Sequence, residues 1–162
     1  MSTPHLSVYL NDHLAGSAAA LEILALLKKL EPTVESWNRI DTAVREDRAI
    51  LEQIMARAGV ADSAIRQATA WVVEKLAELK VRFEDAGDGH LQRLQLIEAL
   101  AIGIDGKRAL WTLLGVVTAP QATFGDIDYS DLIQRATLQR EEVERRRLIA
   151  GAAALTSGDG RP

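Results

Sequence analysis

Apolar residues recur in steps of three and four along almost the whole of this chain. Leu6, Leu10, Leu21, Leu24 and Leu27 share one such stripe, and Trp37, Ile40, Val44, Leu51 and Ile54 share the next. That period marks helices with one face turned to a core, and the sustained alternation that marks strands is missing. The chain therefore reads as all-α. Its prolines, at positions 4, 32, 120 and 162, fall outside the periodic segments, where they interrupt no helical hydrogen bond.

Thr3 followed by Pro4 has the form of an N-cap with proline at the first helical position, and predicts a helix to about Leu30. Pro32 and Thr33 make a very short turn, so the first two helices form an antiparallel hairpin. The second stripe ends at Ala58, before a glycine, Gly59, suited to a left-handed C-cap. Asp62 or Ser63 caps a third helix carrying Ile65, Ala68, Val72, Lys75 and Leu79, which the segment Asp85 to Gly89 breaks. From Leu91 the chain is apolar nearly all round as far as Ile104, as a central helix would be. Gly103, Asp105 and Gly106 leave open whether 91–117 is one kinked helix or two. Asp128 or Ser130 caps the last helix, whose stripe is Leu132, Ala136, Gln139, Val143, Arg146 and Ala150. The expectation is an antiparallel bundle of four to five long helices, a single domain over 1–155 with a flexible tail at 156–162.

With 162 residues, 48% of them hydrophobic, the chain can build one substantial core. Aromatics are only 4%, so Leu, Ile, Val and Ala must fill it, which suits closely packed helices. Nineteen Lys and Arg against 23 Asp and Glu, with no long block of either sign, argue against nucleic acid as a partner. Cysteine is absent, which removes disulfides and thiolate chemistry and suits a cytoplasmic location. The first residues lack the basic segment of a secretory signal. The longest apolar stretch carries Arg93, Glu98, Asp105, Lys107 and Arg108, too much charge for a membrane span, so no membrane partner is expected.

Six polar residues interrupt the apolar stripes: His13, Asp47, Lys75, Glu98, Gln139 and Arg146. Buried charge is costly unless paired, so such residues form either a self-satisfied network or a site. His13 and Asp47 lie at nearly the same height in the first hairpin, ~5 Å apart along the axis. Contact between them would fix the imidazole tautomer and raise its pKa. Glu98, surrounded in sequence by Leu, Ile and Ala, is the strongest single candidate for a functional carboxylate, with Lys75 or Arg146 as its counter-charge. His13, Asp47 and Glu98 together are candidate ligands for a mononuclear zinc or iron ion.

Other signals are weaker. Gly103-Ile-Asp-Gly-Lys107 lacks the spacing of a phosphate-binding loop and reads as a helix kink or corner with Lys107 exposed. In the run Arg140 to Arg147, Glu141 with Arg145 and Glu142 with Arg146 are favourable i,i+4 pairs, leaving Arg146 or Arg147 able to reach inward. No nucleophile elbow, His-x-x-x-His motif or cofactor motif is found, so no cofactor is expected and enzymatic activity stays an open question.

The order of long helices, the tight first hairpin and the mid-bundle polar constellation resemble the ferritin-like superfamily. Tyr9-Leu-Asn-Asp-His-Leu-Ala-Gly16, Trp71-Val-Val-Glu-Lys75 and Gly106-Lys-Arg-Ala-Leu-Trp111 also look like segments of an uncharacterised group of small bacterial helical proteins. The second resemblance implies no activity. Ferritin-like di-iron proteins use a Glu from each of two helices and Glu-x-x-His from each of two others; that motif is absent here, so no di-iron ligand is carried over. The expectation is a non-catalytic homo-oligomer with a polar core and a binding or stress-related role. One alternative is a metal-binding or oxidoreductase-like protein using the atypical His/Asp/Glu set. Another is a carrier of a small organic ligand, which a pocket lined by Trp71 or Trp111 together with Glu98 would favour.

Overall fold

Thr3 caps the first helix as its sequence predicts: its Oγ1 accepts from the Leu6 N–H at 3.2 Å, and Pro4 takes the first helical position. A computed structural model describes residues 3–60, 89–118 and 126–156. They form four helices, α1 (Pro4–Leu30), α2 (Glu35–Ala58), α3 (His90–Thr118) and α4 (Tyr129–Thr156), with no strand among the described residues. The helix expected around Ile65 to Leu79, Lys75 and Trp71 with it, lies outside the described residues, as does the tail after Thr156. No helix among the described residues is long and apolar enough to cross a membrane.

The hairpin between α1 and α2 is closed by backbone and side chain together. Glu31 N–H donates to Leu27 O at 2.8 Å and Val34 N–H to Glu31 O at 3.1 Å, reversing the chain at once. Trp37, fully buried, donates its indole N–H to Glu31 Oε2 at 2.9 Å, so the first large side chain of α2 is tied to the turn that precedes it. Lys28 and Lys29 sit in the last turn of α1, where positive charge complements the helix dipole. Asp128 caps α4, its Oδ1 accepting from Asp131 N–H at 2.9 Å.

Residues 91–117 belong to one helix of 29 residues rather than two. Glycine in a helix interior costs about 1 kcal/mol against alanine, but packing offsets this: Ile97, Leu100, Ile104, Leu110, Trp111 and Leu114 of α3 are all buried. Helix α1 packs on α2 and α3, while α4 packs closely on α3 and sparsely on α2, giving the cyclic order α1–α2–α4–α3. One core cluster joins Leu24, Leu27, Trp37, Ile97, Leu100 and Val143; a second joins Leu10, Leu14, Leu51, Ile54, Leu110 and Trp111. The early turns of α2 and of α3 share the first cluster and their later turns share the second, so these two diagonal helices run in the same direction.

Gly59 ends α2 at φ +71°, with its N–H donating to Ala56 O at 3.1 Å and Val60 N–H to Met55 O at 3.0 Å. Only glycine adopts that left-handed geometry without strain. Gly59→Ala should lower the unfolding free energy by about 1 kcal/mol, read as a shifted urea midpoint at unchanged slope.

Candidate functional site

Asp47 continues the Val44 to Leu51 stripe of α2 and is 2% exposed, between the two core clusters. Lys107 of α3 reaches it across the bundle. Its Nζ donates to Asp47 Oδ2 at 2.5 Å and to Gln139 Oε1 of α4 at 2.5 Å. Arg135 Nη2 lies 2.9 Å from Asp47 Oδ1, but its hydrogen bond goes to Glu46 Oε2 at 2.9 Å. Asp47 Oδ1 therefore has a neighbouring charge without an aligned hydrogen bond.

This arrangement is expensive to desolvate, since removing an ion from water costs several kcal/mol and a pair recovers that only with good geometry and further hydrogen bonds. Gln139, itself buried, supplies one such bond. Burial pulls the Lys107 pKa below the ordinary lysine value; the Asp47 carboxylate opposes that pull, and the Arg135 charge adds to it.

Lys107 was expected to be exposed, and it is not: its side chain is 15% accessible. The signal was present in the spacing, because Leu100, Ile104, Lys107, Leu110 and Trp111 form one three-and-four stripe. Gly103 and Gly106 suggested a corner, whereas the helix runs straight through them.

His13 and Asp47 share the wall of one cavity but make no hydrogen bond to each other. Asp47 is already engaged by Lys107, so the expected rise in the His13 pKa is reversed. Burial lowers it from the ordinary 6.5, with Asp12 alone opposing, and the ring is neutral at pH 7. Its contact is an edge-on approach to Tyr9, with ring centroids 4.6 Å apart at 72°.

Glu98 is not the desolvated carboxylate that its apolar neighbours in sequence suggested. It lies on the rim of α3, 45% exposed, with Arg147 rather than Lys75 or Arg146 as its partner at 3.4 Å. Arg147 also donates to Glu144 at 2.7 Å. Arg146 stays on its own helix, 3.5 Å from Glu142. Glu98 thus stands apart from the cavity that His13 and Asp47 line, and among the described residues no three His, Asp or Glu side chains form a metal-ligand group. His13, Asp47 and Glu98 are not brought together as the expected three-ligand metal centre requires.

The cavity, of about 200 Å³, opens between α1 and α3 with α2 as its floor. Gly16 on α1 and Gly103 and Gly106 on α3 line it. None of the three has a positive φ, and a Cβ added to any of them would meet no heavy atom of the described residues within 4 Å. Close packing among the described residues does not require them, in contrast to Gly115, where a Cβ would sit 3.2 Å from the Tyr129 Cβ. Each destabilises its helix by about 1 kcal/mol relative to alanine, and what each leaves is open space beside Lys107 and His13. Trp111, also on the wall, buries its indole N–H without an acceptor among the described residues.

Comparison with protein-family models, curated proteins and solved structures finds no match to this chain. What stands of the ferritin-like resemblance is the all-helical architecture.

The buried cluster makes a definite energetic claim. Asp47→Leu should cost about 3–5 kcal/mol by leaving Lys107 buried without its carboxylate. Adding Lys107→Met and Gln139→Leu should return most of that loss. Urea denaturation of the single and triple variants checks this; a triple variant less stable than the single one would contradict it.

Proposed function

We propose that this protein is a non-catalytic helical bundle that binds one small organic molecule in the cavity between α1 and α3. The observation that carries this reading is the placement of Gly16, Gly103 and Gly106, three helix-interior glycines that border the same space and serve no close packing contact among the described residues. Stability is given up at three positions, and the common result is volume. The wall is mostly apolar with a few polar groups, as small-molecule sites are. An apolar cavity of roughly 150 Å³ accommodates benzene, so a volume of about 200 Å³ suits a single substituted ring or a short chain.

Catalysis is not part of the reading, because the titratable groups are not arranged as working pairs. Asp47 is neutralised by Lys107, and His13 has no carboxylate to orient it. The parallel run of α2 and α3 is compatible with the single long crossover of ferritin-like bundles, which supports that resemblance as topology alone. Self-association is part of the proposal: Ile102, Val116, Leu138 and Leu148 are each more than half exposed. A cytoplasmic location is supported by the absence of cysteine.

Thermal-shift screening of single-ring and short-chain organic compounds tests the reading, with Gly103→Ala and Gly106→Ala as controls. Each alanine should raise stability by about 0.5–1 kcal/mol and weaken binding of any hit, because its methyl group enters the cavity. No hit, or alanine variants that bind as tightly as the parent, would contradict it.

A further inference from the structure

The outer face of α4 repeats with the period of a helix–helix seam. Gln134, Leu138, Glu141, Arg145, Leu148 and Ala152 follow one another in steps of four and three, and all six are exposed. They lie opposite the stripe of Leu132, Ala136 and Val143 that α4 turns to the core. Leu138 and Leu148 are 57% and 60% exposed, large apolar side chains left mostly uncovered among the described residues.

Between the two leucines stand one acid and one base. The sequence suggests that Glu141 and Arg145 pair along the helix, but Arg145 turns to Glu142 instead. Arg145 is nevertheless 65% exposed, and Glu141 makes no ion pair among the described residues. Glu142 and Glu144, which flank the seam, are answered on their own helix, Glu142 by Arg145 and Arg146, Glu144 by Arg140 and Arg147. Glu141 is thus the acid of this seam still to be matched.

Leu138, Glu141, Arg145 and Leu148 have leucines at the ends and opposite charges at the centre, so the segment complements its own reverse. A second copy laid antiparallel, with its two-fold axis level with Val143, sets Leu138 opposite Leu148, Glu141 opposite Arg145 and Gln134 opposite Ala152. Each contact then occurs twice. The overlap from Gln134 to Ala152 is about 27 Å long. Sliding one copy by a heptad sets Leu138 opposite Glu141, or Arg145 opposite Leu148, so that apolar residues face charge. A parallel pair is worse, because Glu141 meets Glu141 and Arg145 meets Arg145.

Resting on the self-association in the proposed function, and independent of the cavity, we propose that this face is a homodimer interface. Two copies of α4 pack antiparallel, with Leu138 against Leu148 and Glu141 against Arg145 across the two-fold axis. Apolar burial drives the association, and the two reciprocal ion pairs set its register and exclude other pairings.

Sedimentation equilibrium of the full chain and of charge-reversed variants tests this. The parent should sediment at twice the 17.7 kDa of one chain. Glu141→Arg faces the partner's Arg145, and Arg145→Glu faces the partner's Glu141, so each variant alone should dissociate at least about tenfold more readily. An equimolar mixture of the two restores opposite charges at both contacts and should dimerise like the parent. Both positions are exposed, and circular dichroism checks that each variant keeps its helices. The chain has no cysteine, so Leu138→Cys and Leu148→Cys report the register without altering charge. Oxidised together they should link to each other, whereas each alone stands about 15 Å from its own mate along the seam and should not. Charge variants as dimeric as the parent, or cysteine links formed equally by either variant alone, would overturn the α4 pairing and leave self-association by another face standing. A mixture that stays monomeric would contradict the register. A parent that stays monomeric would overturn the pairing and the self-association together.

Discussion

Asp47 and Lys107 meet across the diagonal of the bundle, and most of what is distinctive in this structure follows from that contact. The helices that carry them, α2 and α3, are not neighbours in the cyclic order, so the lysine side chain spans a gap that backbone packing leaves open. With either partner missing, the two apolar clusters on either side would enclose the charge of the other. With both, and with Gln139 completing the shell, this level becomes a polar rung that defines which turn of α2 faces which turn of α3. Buried polar groups are well suited to specifying register, since slippage by a turn would strand each of them.

The same rung shapes the cavity. A lysine that turns inward beside Gly103 and Gly106 leaves little bulk on the α1-facing side of α3, and Gly16 opposite leaves little on α1. Alanine would meet none of the described residues at any of the three positions. The combination of a stabilised polar end and an unfilled apolar flank separates this region from Gly115, where glycine allows a close approach to Tyr129. Glycine therefore plays two roles on α3, close approach at Gly115 and open space at Gly103 and Gly106.

Much of the fold was legible in the sequence. Thr3-Pro4, Gly59 and Asp128 mark helix ends through local chemistry that needs no tertiary context, and the three-and-four periodicity locates the buried faces. The site was half legible. Asp47 and Gln139 interrupt strong stripes and are buried, yet their partner Lys107 was hidden by flanking glycines that resemble a helix corner. Glu98 misled for the opposite reason: its sequence neighbours are apolar, but it lies one position off the stripe of Ile97 and Leu100, on the rim where Arg147 meets it. Whether His13 would reach Asp47 could not be read from helix height alone, because height does not tell which of several cations arrives first. The cavity had no signature beyond its glycines.

The central claim is that Lys107 is a buried ammonium held on Asp47, and its own titration tests that most directly. Its pKa in the folded protein lies below the unfolded value of about 10.4, so the unfolded chain binds that proton more tightly, and this group's contribution to stability rises with pH between the two values. Nitrogen-detected NMR of the lysine ammonium groups, with the Lys107 signal assigned by its loss in Lys107→Met, follows the titration residue by residue. A Lys107 signal that titrates below the unfolded value of about 10.4, with slowly exchanging protons, is the expected result; one that titrates at that value and exchanges freely would contradict the buried pair.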